Sequence, residues 1–434
     1  MNKIIGLLLI FLLITNCSLD KKSGLWSENS KINIEKDLII TELFEDEKIF
    51  SEELNSNLKI KLKSNLTNNN FTNNLSNNNG RVNYNGNLKN LSRFKYSTID
   101  NFVELEPEIV FDGSNIIFFD NKGSILKFDQ FSKLIWKKNY YKKTEKKQKP
   151  ILSLANNQKT LVIVDNFAKY YAINIKTGEL LWSKRNSAPF NSQIKIYKDK
   201  FFVIDFDNVL KCFSIKDGKE LWNVKTETTF IKSQKKLSLV ILSGKVYFNN
   251  SIGDIGAVDI NSGNLIWQTP TQSSSIYESA FLLKTSDLVA NDESILLSNN
   301  KNEFFSINAN TGVLNWKQKI NSNLRPTIVD NLVFTVTMEG FLVVIENPTG
   351  NIIRVTNVFD RFKKKKKSKI KPVGFIVGTN NIYLTTDNGR LIIIDILSGK
   401  SSLILKIDNE KISRPFILNK NLFIAKDNAI IKLD

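Results

Sequence analysis

The chain has 434 residues, 41% of them hydrophobic, with 61 Lys and Arg against 43 Asp and Glu and a formal net charge of +18. It has no His and two cysteines, Cys17 and Cys212, which form no CxxC pair. These features exclude imidazole or thiolate metal centres and a dithiol redox site. The basic excess implies a positive surface able to meet phosphate headgroups or acidic protein faces.

At the N-terminus, Lys3 precedes Ile4–Ile14 (IIGLLLIFLLI), an apolar stretch of 11 residues. That is too short to span a bilayer and suits a secretory signal. Thr15-Asn16-Cys17 follows, and the pattern resembles a bacterial lipobox, in which the Cys becomes the lipidated first residue. Each buried CH₂ of an acyl chain adds about 0.8 kcal/mol, so several chains on Cys17 anchor stably. Within that resemblance, Ser18 in place of Asp points to the outer membrane of a Gram-negative cell, on its periplasmic face. The expected division is a signal peptide over 1–16, a lipidated and largely flexible tether over 17–93, and a repeat domain over 94–434.

The tether reading rests on composition. Asn55 to Ser92 is rich in Asn, Ser and Lys and lacks the apolar surface needed to offset ordering entropy. Ahead of it, Asp37 to Leu54 predicts a short strand and an acidic helix.

From Phe94 onward one phrase repeats. Residues 171–182 read YAINIKTGELLW, 211–222 KCFSIKDGKELW, 256–267 GAVDINSGNLIW and 305–316 FSINANTGVLNW. A period of about 40–50 residues signals a propeller or solenoid. Units fall at roughly 107–138, 150–184, 192–224, 237–268, 288–317, 326–357 and 373–407, each with four short alternating strands. The structural residues of the repeat are Gly178, Gly218, Gly263 and Gly312, each at a turn needing positive φ, and Trp182, Trp222, Trp267 and Trp316, four residues later. A ring of that size buries about 150–250 Å², an upper bound of roughly 4–6 kcal/mol, and packing between blades is its expected role. Trp136, Gly350 and Gly399 fit the same frame. Blades six and seven lack the Trp, and Ser132 stands where the first turn Gly should fall. Cys212 lies in a strand pattern as a buried, unpaired thiol.

Three more strands close the chain, at Arg414–Leu418, Asn421–Lys426 and Ala429–Leu433, and Arg93–Asp100 supplies a fourth. One strand from the beginning and three from the end leave no open sheet edge. The expected fold is all-β: an eight-bladed β-propeller of four-stranded antiparallel blades, with seven blades as the alternative.

The phrase resembles the quinoprotein-type (PQQ-like) propeller repeat. With the lipobox, the Asn-rich tether and about eight blades, the chain is similar to the family of lipoprotein propellers in the outer-membrane β-barrel assembly (BAM) machinery. Enzymes with this repeat carry pyrroloquinoline quinone and calcium on the axis, usually beside an adjacent pair of cysteines, which this chain lacks. Asp205, Asp207, Asp254 and Asp259 read as hairpin acids. The resemblance therefore implies no catalytic residue, no cofactor and no metal. It implies binding to the periplasmic domains of BamA, the membrane-embedded barrel component, and to other BAM subunits and outer-membrane protein precursors, with no nucleic acid. Carried over by loop, the contacts fall in Thr226–Lys236, at Phe230, Ile231 and Lys232, and in Pro270–Asp287, at Glu278 and Asp287. The alternatives are a quinone-dependent dehydrogenase and another periplasmic ligand-binding propeller. Two basic segments, Lys142–Lys149 and Arg361–Lys371, read either as solvated loops or as attraction to acidic headgroups or an acidic partner.

Overall fold

The alternating segments pair as their pattern requires. In the second blade Leu152–Asn156, Thr160–Asp165, Lys169–Asn174 and Leu180–Arg185 lie side by side in that order, each antiparallel to the next. The computed structural model describes residues 50, 52–63, 66–67, 80–226, 235–271 and 283–434, and within them four-stranded sheets recur eight times. Seven blades span 110–138, 152–185, 195–225, 239–269, 289–318, 327–357 and 372–406. The eighth joins Asn90–Lys95 to Ala429–Leu433, Asn421–Lys426 and Phe416–Leu418. The ring thus has eight blades, not seven, and closes with one strand from the beginning and three from the end. The entering strand spans Asn90–Lys95 instead of running to Asp100; the N–H of Tyr96 still bonds its in-register partner Asn428 O at 3.1 Å, and the register is lost by Ile99, whose N–H donates to Asp427 O at 2.8 Å. Residues 1–48 lie outside the described residues. The signal peptide, Cys17 and most of Asp37–Leu54 lie there. Among the described residues no helix is long and apolar enough to cross a membrane.

The core lies between blades. Phe94, Phe423 and Ala425 of the eighth blade share one apolar cluster with Ile117, Phe118 and Phe128 of the first, and Phe111 meets Phe423 edge-on at 5.2 Å. This packing seals the ring where the two chain ends meet.

A bulge aims the repeat aromatic. In the second blade Ala172 pairs with Trp182 but Ile173 with Leu180, so Leu181 is extra. The same slip recurs beside Cys212, Ala257 and Ser306, which face Trp222, Trp267 and Trp316. An added residue bends and twists a strand, and here it turns each indole toward the next blade. The residue across from each of these rings is small, which gives the buried free thiol of Cys212 its place in the pattern. The ring then lies over the turn glycine of the following blade. A Cβ on Gly218 would sit 2.6 Å from Trp182, one on Gly263 2.7 Å from Trp222, and one on Gly312 2.7 Å from Trp267. Gly178 meets Trp136 and Gly350 meets Trp316 in the same way. Ser132 takes the missing glycine's conformation at φ 67°.

The sixth blade replaces the indole with Arg354, which is wholly buried and lies against Gly399 of the seventh blade. Trp182 and Trp316 donate their indole N–H to the carbonyls of Ile215 and Asn347, each three residues ahead of the turn glycine. Arg354 Nη2 donates to Ile396, at the same position, at 3.0 Å. Its Nη1 adds two bonds, to Leu397 O at 2.6 Å and Leu58 O at 3.0 Å.

Leu58 belongs to the segment read from composition as tether. Residues 52–63 run along the sixth and seventh blades instead. Leu54 and Val355 exchange both backbone hydrogen bonds, at 3.0 and 2.9 Å, and Ile60 N–H donates to Leu397 O. Further on, Tyr84 and Thr379 are joined through their backbones, and the Tyr84 hydroxyl donates to Asp434 O at 2.8 Å. Main-chain groups make most of these contacts, so a polar composition does not forbid them.

Candidate functional site

The first strand of each blade is innermost, and first strands of adjoining blades approach one another. Residues just ahead of those strands therefore converge at one end of the axis. Arg325 Nε donates to Asp287 Oδ2 at 2.8 Å, and Arg414 Nη1 stands 3.6 Å from the same oxygen. Arg414 Nη2 donates to Glu108 at 2.8 Å, Lys235 lies 3.7 Å from Glu106, and Lys235 also donates to Asn323 O at 2.7 Å. This network links the first, fourth, fifth, sixth and eighth blades.

Burial alone would raise the carboxyl groups of Glu108 and Asp287. Arg414 beside the first and Arg325 beside the second nevertheless hold both below the usual carboxylate range. The opposite strain falls on Lys195, whose ammonium burial pulls down from 10.5 to about 8, with Glu108 opposing. Burial also lowers Lys236 and Lys411. Between about pH 8 and 10.5 the Lys195 side chain holds its proton in the unfolded chain and releases it in the folded one, so this group contributes stability that rises with pH across that window, while Cys212 and the buried tyrosines, whose pKa values burial raises, act in the opposite sense above about pH 9. Measured against Lys195→Met, which has no proton to lose, the urea midpoint of the unsubstituted protein is expected to gain from pH 8 toward pH 10; a difference that stays constant would contradict this.

A cavity of about 50 Å³ lies within the network, lined in part by Glu106, Lys235, Asp287, Arg325 and Arg414. At roughly 10–15 Å³ per water it holds a few water molecules, far less than a fused tricyclic quinone needs. Its carboxylates are paired with Lys and Arg, and among the described residues no three His, Cys, Asp or Glu side chains gather to hold a metal ion. The residues here do not fit pyrroloquinoline quinone with calcium. The acids outside the axis serve turns: Asp205 Oδ1 accepts the N–H groups of Asp207 and Val209, and Asp259 Oδ1 those of Asn261 and Ser262.

Of the contacts expected from sequence, Phe230, Ile231, Lys232 and Glu278 lie outside the described residues. Asp287 is described, and its carboxylate is engaged within the chain by Arg325 and Arg414. Sequence reading missed the axial network. Its signal was available in Glu108, Asp287, Arg325 and Arg414, which all stand two residues ahead of a first strand.

The family described as outer membrane protein assembly factor BamB matches residues 121–356, more than half of the chain. The chain belongs to the BamB family. Among curated relatives, outer membrane protein assembly factor BamB of Legionella pneumophila is 24% identical over 210 residues, covering 46% of this chain and 50% of that protein. The factor of the same name from Moranella endobia is 20% identical over 241 residues, covering 54% and 61%. The chain thus spans about half the length of the curated relatives it matches. Among solved structures, BamB from Moraxella catarrhalis superposes with a TM-score of 0.64 at 15% identity, covering 80% of this chain and 99% of that one. A quinohemoprotein alcohol dehydrogenase from Pseudomonas putida superposes at 0.56 and 10% identity, covering 80% and 76%. The fold is shared between a BamB and an enzyme, so architecture alone assigns no activity.

Proposed function

We propose that the chain is a non-catalytic scaffold of the BAM machinery, held by lipid on Cys17 at the periplasmic face of the outer membrane, where it binds BamA and assists folding and insertion of outer-membrane proteins. The observation that carries this reading is the family match over residues 121–356. The axial donor set and the small cavity, which suit neither quinone nor calcium, support a scaffold over an enzyme.

Docking is proposed on the loops 226–236 and 270–287. In the sequence they flank the fourth blade, 239–269. Apolar residues beside a base, as in Phe230-Ile231-Lys232, make a compact patch of the kind that anchors interfaces. Asp287 contributes as the fixed foot of the second loop, tied to Arg325 and Arg414.

Cross-linked pull-down from solubilised outer membranes tests the reading. Recovery of BamA supports it, and a pull-down without BamA overturns it, as does quinone-dependent dye reduction by the purified protein with Ca²⁺. Phe230→Asp is expected to weaken BamA capture with the melting temperature unchanged; a large fall in melting temperature would show instead that Phe230 is core.

A further inference from the structure

In every complete blade four antiparallel strands bring the chain back to the side on which it entered, so the connections between blades all emerge on one face of the ring. Two of them carry the chain's basic segments. Residues 358–371 join the sixth blade to the seventh, and 139–151 join the first to the second.

The first of these is built to display charge. Arg361 to Lys371 holds seven lysines and one arginine with no acid among them. Its feet are fixed: Phe359 and Phe362 meet edge-on at 5.8 Å, Ile370 is buried, Arg361 donates to Ser402 O at 2.7 Å, and Lys371 N–H donates to Asp387 at 2.9 Å. Between the feet stands a one-turn helix, Lys364–Lys367, with three of its four residues exposed. Like charges one turn apart oppose a helix. Among the described residues no acidic side chain pairs with Lys363, Lys364, Lys365, Lys366 or Lys367. The fold therefore keeps a repulsive turn that gives it no internal contact in return. The second segment has a similar one-turn helix, Lys143–Lys147, whose single acid, Glu145, is drawn off by Arg185 at 2.6 Å.

We propose that this face of the ring rests on an anionic lipid surface, with Lys363–Lys371 and Lys142–Lys149 as its two contacts. The inference rests on the reading that the protein works at a membrane. Two short protrusions on one face, three blade junctions apart, suit a plane better than a groove. Lysine is a hydrated point charge without the planar fork of arginine, so it matches a fluid headgroup layer that offers no fixed geometry. Clusters of this size beside a membrane bind anionic lipid and fade with salt.

The test uses the full-length protein anchored in vesicles, with a fluorophore on Ser368→Cys; Cys212 is buried and stays unlabelled. Quenching by headgroup-labelled lipid is compared in phosphatidylcholine vesicles and in vesicles that also contain phosphatidylglycerol. At least a twofold gain in the anionic vesicles, lost at roughly 0.5 M salt, is expected. The gain should vanish in the Lys364→Glu, Lys365→Glu, Lys366→Glu, Lys367→Glu variant at unchanged melting temperature, and shrink in Lys142→Glu, Lys143→Glu. Equal quenching in the two vesicle types overturns the proposal, as does a dye response to an acidic protein alone. BamA capture by the unsubstituted protein separates the readings: capture together with equal quenching in the two vesicle types sinks only the lipid contact, and an anionic gain without capture sinks only the docking role.

Discussion

Gly263→Ala is expected to lower the free energy of unfolding by about 2–4 kcal/mol. Two costs combine. The residue sits at φ 74°, where a Cβ adds about 1 kcal/mol. The new methyl would also stand 2.7 Å from the Trp222 ring, which must move within a packed interface at about 1–3 kcal/mol. The molecule supplies its own control. Gly244 has a φ of 75°, and a Cβ there meets nothing within 4 Å, so Gly244→Ala carries only the conformational part. Urea unfolding of both variants isolates the contribution of the wedge. Equal losses would mean that indole on glycine does not set the blade spacing.

The second large effect is expected at Arg354. Arg354→Ala removes three donors from the carbonyls of Leu58, Ile396 and Leu397 and opens a cavity in a sealed site, a loss of about 3–5 kcal/mol. Arg354→Trp separates the two jobs of the side chain. An indole should fit over Gly399 as its counterparts fit over the other turn glycines, and it should satisfy Ile396 O. It cannot also reach Leu58. Most of the stability should return, while limited proteolysis within residues 54–63 accelerates. Unchanged proteolysis in Arg354→Trp would show that Leu54–Val355 and Ile60–Leu397 hold the segment without the guanidinium.

The blades were legible because one phrase carries both halves of each interface, the aromatic and the glycine it covers. Even the degenerate sixth blade was readable in part, since Arg354 follows Gly350 at the spacing that separates Gly312 from Trp316. The bulge was not legible, because it is a property of register between two strands. The course of residues 52–63 and 80–89 was hidden for a related reason: main-chain groups make those contacts, and composition reports only side chains. The axial network joins residues as far apart as Glu108 and Arg414. Only the closed ring reveals that the positions ahead of separate first strands are neighbours.

The path of the N-terminal segment has a mechanical consequence. Tension applied from the N-terminal side meets Leu54–Val355, then Ile60–Leu397, then Tyr84–Thr379, and only afterwards the seam at Asn90–Lys95. These links are loaded one after another. Each releases the stretch of chain up to the next link before that link is strained, and the joint that keeps the circle shut is the last to feel the pull. Stretching single molecules from the N-terminus should record small early extensions ahead of one large event, while a large event at the outset would show that the seam, and not the segment before it, takes the load.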